Sequence, residues 1–327
     1  MKKKKARIVV IGGGTGLSTL LRGLKNYQFD ITAIVTVADD GGSSGRLRDD
    51  YDIPPPGDIR NVIAALSEVE PLVEEMFQYR FAQSKDLEGH SLGNLMLAAL
   101  TGITGDFNHA IAEMSKVLNV NGRVIPAANK KVTLHAKLED GSTVIGESKI
   151  PKIMQRIDYV FIEPEEVEAL PSAIRHIKMA DYILIGPGSL YTSIIPNLLV
   201  KEIGDAIVTA RAQKIYICNL MTQQGETIGY SATDHVEAIH KHVGNPFIDS
   251  ILINEVDLPD RVKASYREEN AEPVLIDIGE LESMGIEIIE RDIAITIDGA
   301  VRHNTMNVSK WLNSYANENQ KKLIDTK

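Results

Sequence analysis

An internal disulfide is excluded, because the 327 residues include a single cysteine, Cys218. It sits in the apolar run KIYICNL and reads as a buried strand residue, and a lone thiol fits a reducing cytoplasm. Long apolar runs are missing as well: nothing approaches the roughly 18 consecutive apolar residues of a membrane span. The basic start Lys2 to Lys5 meets only a short apolar stretch before glycines, so neither export nor insertion is expected. No histidine or cysteine cluster has metal-ligand spacing, which argues against a zinc site. Positive charge is in deficit, with 35 Lys and Arg against 45 Asp and Glu and a net charge of -10. An extended electrostatic footprint for nucleic acid is therefore not expected, and Lys2 to Lys5 reads as a solvated tail. Aromatics make up 5% and hydrophobic residues 43%, enough for one large α/β domain with a small insertion.

What is present begins with IVVIGGGTGLSTLLRGL, Ile8 to Leu24. Four apolar residues run into GGGTG and then into an apolar pattern of helical period, which reads as strand, glycine turn and helix start. Such a turn lets backbone N–H groups approach an anion without Cβ obstruction and aims the positive end of the helix dipole at a phosphate. Gly12, Gly13, Gly14, Thr15, Gly16, Leu17 and Ser18 are the candidate contacts. The dinucleotide fingerprint fails, since Leu17 stands where its third glycine belongs, and a P-loop fails for want of Lys-Ser or Lys-Thr.

Beta-branched runs then alternate with helical patterns: ITAIVTVAD, helical stretches over 60–82 and 91–118, and later YILIGPG, KIYICNL, SILINEV and VLIDIG. This rhythm predicts a Rossmann-like α/β fold, a doubly wound and mostly parallel sheet. VTLHAKLEDGSTVIGES alternates with period two around Asp140-Gly141, so a small antiparallel β insertion is expected within 124–157 of a single domain, 1–327. Residues 1–5 and 319–327 are expected to be flexible tails. ILIGPGSLYTSII echoes VVIGGGTGLSTLL, so Gly186, Pro187, Gly188 and Ser189 form a second candidate turn at a strand's carboxyl end, where ligands of open parallel sheets bind.

The segment Thr36 to Asn61 is dense in acids, glycines, serines and arginines. Asp39 or Asp40 suits ribose hydroxyls or a hard cation such as Mg²⁺. Ser43 and Ser44 offer small side chains, and Arg46 offers charge for a phosphate. Pro54 to Pro56 stiffen the approach to Asp58, an expected helix cap, and to Arg60 and Asn61. GHSLG at Gly89 matches the G-x-S-x-G elbow of serine hydrolases, but the polar FAQSKDLE before it is no buried strand. The better reading is a Ser-capped helix with Asn94 facing the crevice. Asn219, after KIYIC, leads an amide-rich loop suited to a sugar or nucleobase. Tyr266 and Arg302 fit either the surface or a contact to phosphate or base.

Together, GGGTGLS at Gly12, TVADDGGSSGRLR at Thr36, PPPGDIRN at Pro54, GHSLGNL at Gly89 and GPGSLYTSIIPNLL at Gly186 resemble the bacterial gluconeogenesis factor family over nearly the whole chain. That family is similar in fold to the phospholactate transferases of deazaflavin cofactor synthesis, which bind a nucleoside diphosphate with Mg²⁺. The resemblance implies a cytoplasmic protein needed for cell shape and envelope synthesis on gluconeogenic carbon sources, binding UDP-sugars such as UDP-N-acetylglucosamine. It also implies that Arg302 meets the phosphates and Tyr266 the uridine or sugar.

The expectation is thus a regulatory nucleotide-sugar binder acting on a protein partner in amino-sugar synthesis. A Mg²⁺-dependent phosphotransferase with Asp39 and Asp40 as its acids is the alternative, and an NAD-binding protein the third reading. A homodimer is expected only from the frequency of symmetric pairs.

Overall fold

The computed structural model describes residues 5–83 and 85–325. The basic residues Lys2–Lys4 lie outside the described residues. From the amino end run β1 (Ala6–Gly12), α1 (Gly14–Leu24), β2 (Phe29–Val35), α2 (Gly42–Tyr51), α3 (Gly57–Leu66), α4 (Pro71–Gln78), α5 (Leu92–Thr104), α6 (Phe107–Val117) and β3 (Arg123–Pro126). The middle holds β4 (Thr133–Leu138), β5 (Thr143–Ile145), β6 (Ile157–Glu163), α7 (Pro171–Met179), β7 (Tyr182–Ile185), α8 (Ile195–Leu198), α9 (Lys201–Thr209), β8 (Gln213–Ile217), α10 (Ala232–Val243) and β9 (Ser250–Asn254). Last come α11 (Asp260–Glu268), α12 (Ile278–Ser283), β10 (Glu287–Arg291), β11 (Ala294–Ile297), β12 (Ala300–His303) and α13 (Thr305–Asp325).

Seven strands form one parallel sheet in the order β10-β9-β8-β7-β1-β2-β3. From β1 the chain builds outward to β2 and β3 on one side, then returns to β7 and builds to β10 on the other. The strand order therefore reverses between β1 and β7, which is where ligands bind in such sheets. β1 shows why the sheet is covered on both faces. Its Ile8 and Val10 join one apolar cluster, and Val9 and Ile11 the other. In α1 the leucine spacing does the same for a helix: Leu17, Leu20, Leu21 and Leu24 are all fully buried.

Several elements differ from expectation. The stretch over 60–82 is two helices, because the chain turns extended at Ser67 and α4 restarts at Pro71. VLIDIG is no strand; it makes only isolated bridges near Pro273 and Leu275 before α12. The seventh strand is instead β10, a half-polar segment that its edge position allows, since one of its flanks has no strand to pair with. The insertion is the antiparallel sheet β5-β4-β6, with the expected hairpin at Asp140-Gly141. It reaches Glu163, beyond 157, and β3 within 124–157 belongs to the main sheet. The expected tail at 319–327 is mostly helix, since α13 continues to Asp325, and the two final positions lie outside the described residues.

α13 packs on α1 at Gly23, where a Cβ would lie 2.5 Å from Ser309 Oγ and 2.9 Å from the Thr305 carbonyl. Backbone on that side cannot yield as a flexible side chain would. Gly23→Ala is expected to cost about 1–3 kcal/mol of unfolding free energy through this overpacking, read as a lower thermal midpoint; an unchanged midpoint would contradict the packing account.

Candidate functional site

The two glycine turns meet because β1 and β7 are neighbours in register. Ile11 pairs with Ile185, and the Gly186 N–H donates to the Ile11 carbonyl at 2.9 Å. Gly13 is the extended N-cap of α1 with no side-chain cap, and Gly14 has φ +66°, a left-handed conformation that favours glycine. A Cβ on Gly16 would lie 3.0 Å from the Pro187 carbonyl, so the turns touch backbone to backbone. Behind them Asn197 donates to the Gly12 and Ser193 carbonyls, at 3.2 and 2.8 Å. In front, Asn219 Nδ2 donates to the Gly188 carbonyl at 3.1 Å.

A cleft of about 370 Å³ opens over this junction, within the range of small-molecule sites. Of the expected residues it gathers Gly13, Gly14, Thr15 and Gly16, Pro187, Gly188 and Ser189, Asn219, Tyr266 and Arg302. Tyr266 from α11 accepts the Val301 N–H at 2.8 Å and so fixes the hairpin strand that carries Arg302. His303 donates to the Cys218 carbonyl at 2.9 Å, and burial pushes its imidazole down to about 4, leaving it neutral at ordinary pH. Cys218 itself is buried. The lining includes one permanent cation, Arg302, and no carboxylate.

Sequence reasoning missed Thr19, Ser193 and Thr305 on the lining. Thr19 follows Thr15 by four residues on α1, a helical spacing that marks the same face. Ser193 lies in the single π turn after the second glycine turn, Leu190–Ile194, whose start is held by the buried Glu226 accepting from Tyr191 N–H and Thr192 Oγ1, both at 2.9 Å.

Other expected residues stand elsewhere. Leu17 is core, and Gly12, Ser18 and Gly186 are not on the lining. Asp40 accepts from Ser148 N–H at 2.9 Å and ties its loop to the insertion. Asp39 accepts from Gly41 N–H at 2.9 Å. Asp58 does not cap α3; its Oδ2 accepts from Gly14 N–H at 2.8 Å, occupying one donor of the first turn of α1. Ser43, Ser44, Arg60 and Asn94 are buried, Arg46 is exposed and Asn61 half-buried, and all six stand outside the cleft lining. Ser91 caps α5 and is fully buried, with no strand before it, so no nucleophile elbow exists. Asn254, at the end of β9, plays no part in the cleft: it accepts from Ile293 and Ala294 N–H, both at 3.1 Å, and holds that loop. Asp39, Asp40 and Asp58 do not form a three-ligand metal site; among the described residues no group of three or more His, Cys, Asp or Glu could hold an ion.

Carboxyl groups crowd behind the first turn. Burial raises Asp58 to about 6, with Asp39 adding and the Gly14 hydrogen bond opposing. Glu147 is pushed up to about 8 by burial, then by Asp39, Asp58 and Asp40. Both values exceed those of an unfolded chain, so the stabilisation they bring is fully present below about pH 4 and is lost as pH rises through them. Relative to the parent, Asp58→Asn should flatten the fall in unfolding free energy between about pH 4 and 6, and Glu147→Gln the fall up to about pH 8. Each change is expected at about 1 kcal/mol or more; denaturant titrations across this range with identical slopes would refute it.

A family model described as 2-phospho-L-lactate transferase CofD matches residues 8–294. The gluconeogenesis factor of Bacillus subtilis (strain 168) is 60% identical over 309 residues, covering 94% of this chain and 98% of that protein. The gluconeogenesis factor of Halalkalibacterium halodurans is 55% identical over 307 residues, covering 94% and 95%. The X-ray crystal structure of protein BH3568 from Bacillus halodurans superposes with a TM-score of 0.92 at 55% identity, over 94% of this chain and 99% of that one. With matches this long in sequence and in fold, the chain belongs to the CofD family and, within it, to the gluconeogenesis factors.

Proposed function

We propose that the chain is a UDP-sugar-binding regulator with UDP-N-acetylglucosamine as its ligand. The observation that carries this reading is the cleft at the strand-order reversal: two glycine turns, a helix N-terminus, Tyr266 and Arg302, and no carboxylate on the lining of a chain with net charge -10. In this reading the diphosphate lies on the N–H groups of Thr15 and Gly16 and pairs with Arg302. Tyr266 stacks beside uridine or sugar, and the amides of Asn219 and Gln223 meet hydroxyl or base edges. A cleft walled by α1 and the β12–α13 junction gives the ligand two elements to bridge, which suits a shift in population toward a partner-competent state. The proposed partner is a protein of amino-sugar synthesis, and the proposed setting is cytoplasmic control of envelope synthesis and cell shape on gluconeogenic carbon sources. The described residues include no helix long and apolar enough to cross a membrane.

A second reading, Mg²⁺-dependent transfer of a phosphorus-containing group, is favoured by the CofD match and by Asp39 lying beside Asp58 behind the turn. Such an ion would take one or two carboxylates and complete its shell with ligand phosphates and water.

Calorimetric titration with UDP-N-acetylglucosamine, UDP-glucose, GDP and NAD, with and without Mg²⁺, followed by analysis of each mixture, separates the readings. Selective UDP-sugar binding with intact ligand is expected. Arg302→Ala should weaken it about tenfold or more, as for a lost charge-assisted phosphate contact of about 1.5–3 kcal/mol. Tyr266→Ala should weaken it as well, through lost stacking and a freed β12. Parent-like affinity in Arg302→Ala would overturn the site, and Mg²⁺-dependent consumption of the nucleotide would establish the transferase.

A further inference from the structure

We propose that Arg46, Arg60 and Arg80, with His90 and Asn94, form a second anion site, separate from the glycine cleft, that takes the phosphate of a small phosphomonoester. The three arginines come from α2, α3 and the segment after α4: Arg46 and Arg80 meet at the turn before α5, and Arg60 runs under α5 within reach of the Arg80 charge. Arg46 Nη2 donates to the Glu88 carbonyl, and a Cβ on Gly89 would lie 3.1 Å from that same nitrogen. Arg80 donates to the neighbouring Gly89 carbonyl. Arg60 runs beneath α5, where a Cβ on Gly93 would come within 2.9 Å of its Cγ.

The charge there is only partly offset, by Asp58 and Asp39 acting on Arg60. Arg7, Arg22 and Arg123 each have a carboxylate partner, whereas among the described residues Arg46, Arg60 and Arg80 form no ion pair. In a chain with ten more acids than bases, three such guanidiniums brought together against their own repulsion point to an anion that completes the set. Arg60 is the most telling of them. It is 7% exposed, its Nη2 donates to Asn61 Oδ1 at 2.7 Å, and its Nε has no partner. Burial, and then Arg80, bring this guanidinium down to about 10, while Asp58 and Asp39 only partly offset them. A buried donor left unmade costs free energy that a bound oxyanion recovers.

A neutral relay supports the same place. Asn94 Nδ2 donates to Ser43 Oγ at 3.0 Å, and Ser43 Oγ meets His90 Nδ1 at 2.9 Å. Burial, with Arg46 and Arg80 adding, holds the imidazole below its usual range. In the neutral ring's Nε2–H tautomer, Nδ1 accepts from Ser43 and Nε2 is a donor that a ligand oxygen can meet. Asn94 Oδ1, on a residue 2% exposed, has no donor and suits a ligand hydroxyl. Three guanidiniums and an N–H match a phosphate dianion better than a single carboxylate, because the fork of each arginine spans two oxygens. None of these side chains lines the glycine cleft. Between the two sites stands Asp58, bonded to Gly14 N–H and attracting Arg60, so the proposal holds whichever ligand the cleft takes.

The test titrates inorganic phosphate, with malonate as the carboxylate comparison, into the full chain saturated with UDP. Phosphate is expected to bind alongside UDP and more tightly than malonate. The exposed Arg46→Ala and Arg80→Ala should each weaken phosphate at least fivefold while UDP affinity stays within twofold; Arg60→Gln is the deeper variant, scored only if its melt is parent-like. The proposal is overturned if phosphate competes with UDP, if Arg46→Ala and Arg80→Ala bind phosphate like the parent, or if malonate binds as tightly. If UDP does not bind at all, the cleft reading fails, and the same variants titrated without UDP still decide the second site.

Discussion

Backbone contact between two glycine turns is the constraint on which the rest of this molecule depends. β1 and β7 lie side by side at the reversal of strand order, and their turns approach until Gly16 rests on the Pro187 carbonyl. A side chain at Gly16 would press them apart. The close approach fixes where α1 begins, and hence where its unpaired N–H groups point, while Asn219 takes up the Gly188 carbonyl at the cleft and Asn197 holds the Gly12 carbonyl behind it. Packing and electrostatics are thus settled by the same few atoms.

No carboxylate lines the cleft of this acidic chain. Here Asp40 is spent on the insertion, Glu226 on the π turn, and Asp58 on the Gly14 N–H. Burial lifts Asp58 and Glu147 toward neutrality. The acids that crowd behind the first turn are therefore partly uncharged or hydrogen-bonded, and the cleft in front of them carries only Arg302 as a fixed charge.

Periodicity made the sheet and α1 legible, since Leu17 to Leu24 and the β-branched runs express burial directly. Edges were harder: β10 is half polar because it has a neighbour on one side only, and VLIDIG is apolar without entering the sheet. Both glycine turns, Asn219, Tyr266 and Arg302 do meet in one cleft. For Tyr266 and Arg302, though, the residues themselves left surface and ligand contact both open, and the family resemblance singled them out. Asp58 and Asp40 show the opposite failure. Asp58 reads locally as a cap and Asp40 as a ribose or cation ligand, but the partner is 44 residues away in the first case and 108 in the second, and no local pattern encodes that.

The hairpin β11–β12 hands the chain straight to α13, which starts at Thr305 on the cleft wall and then lies along α1 over Gly23. Arg302 and the amide end of α1 are consequently joined twice: across the cleft by whatever lies in it, and around the back by helix on helix. Such a closed mechanical circuit leaves little slack. A displacement of Arg302 would bear first on the root of α13 and, through Gly23, on the helix that carries the glycine turn.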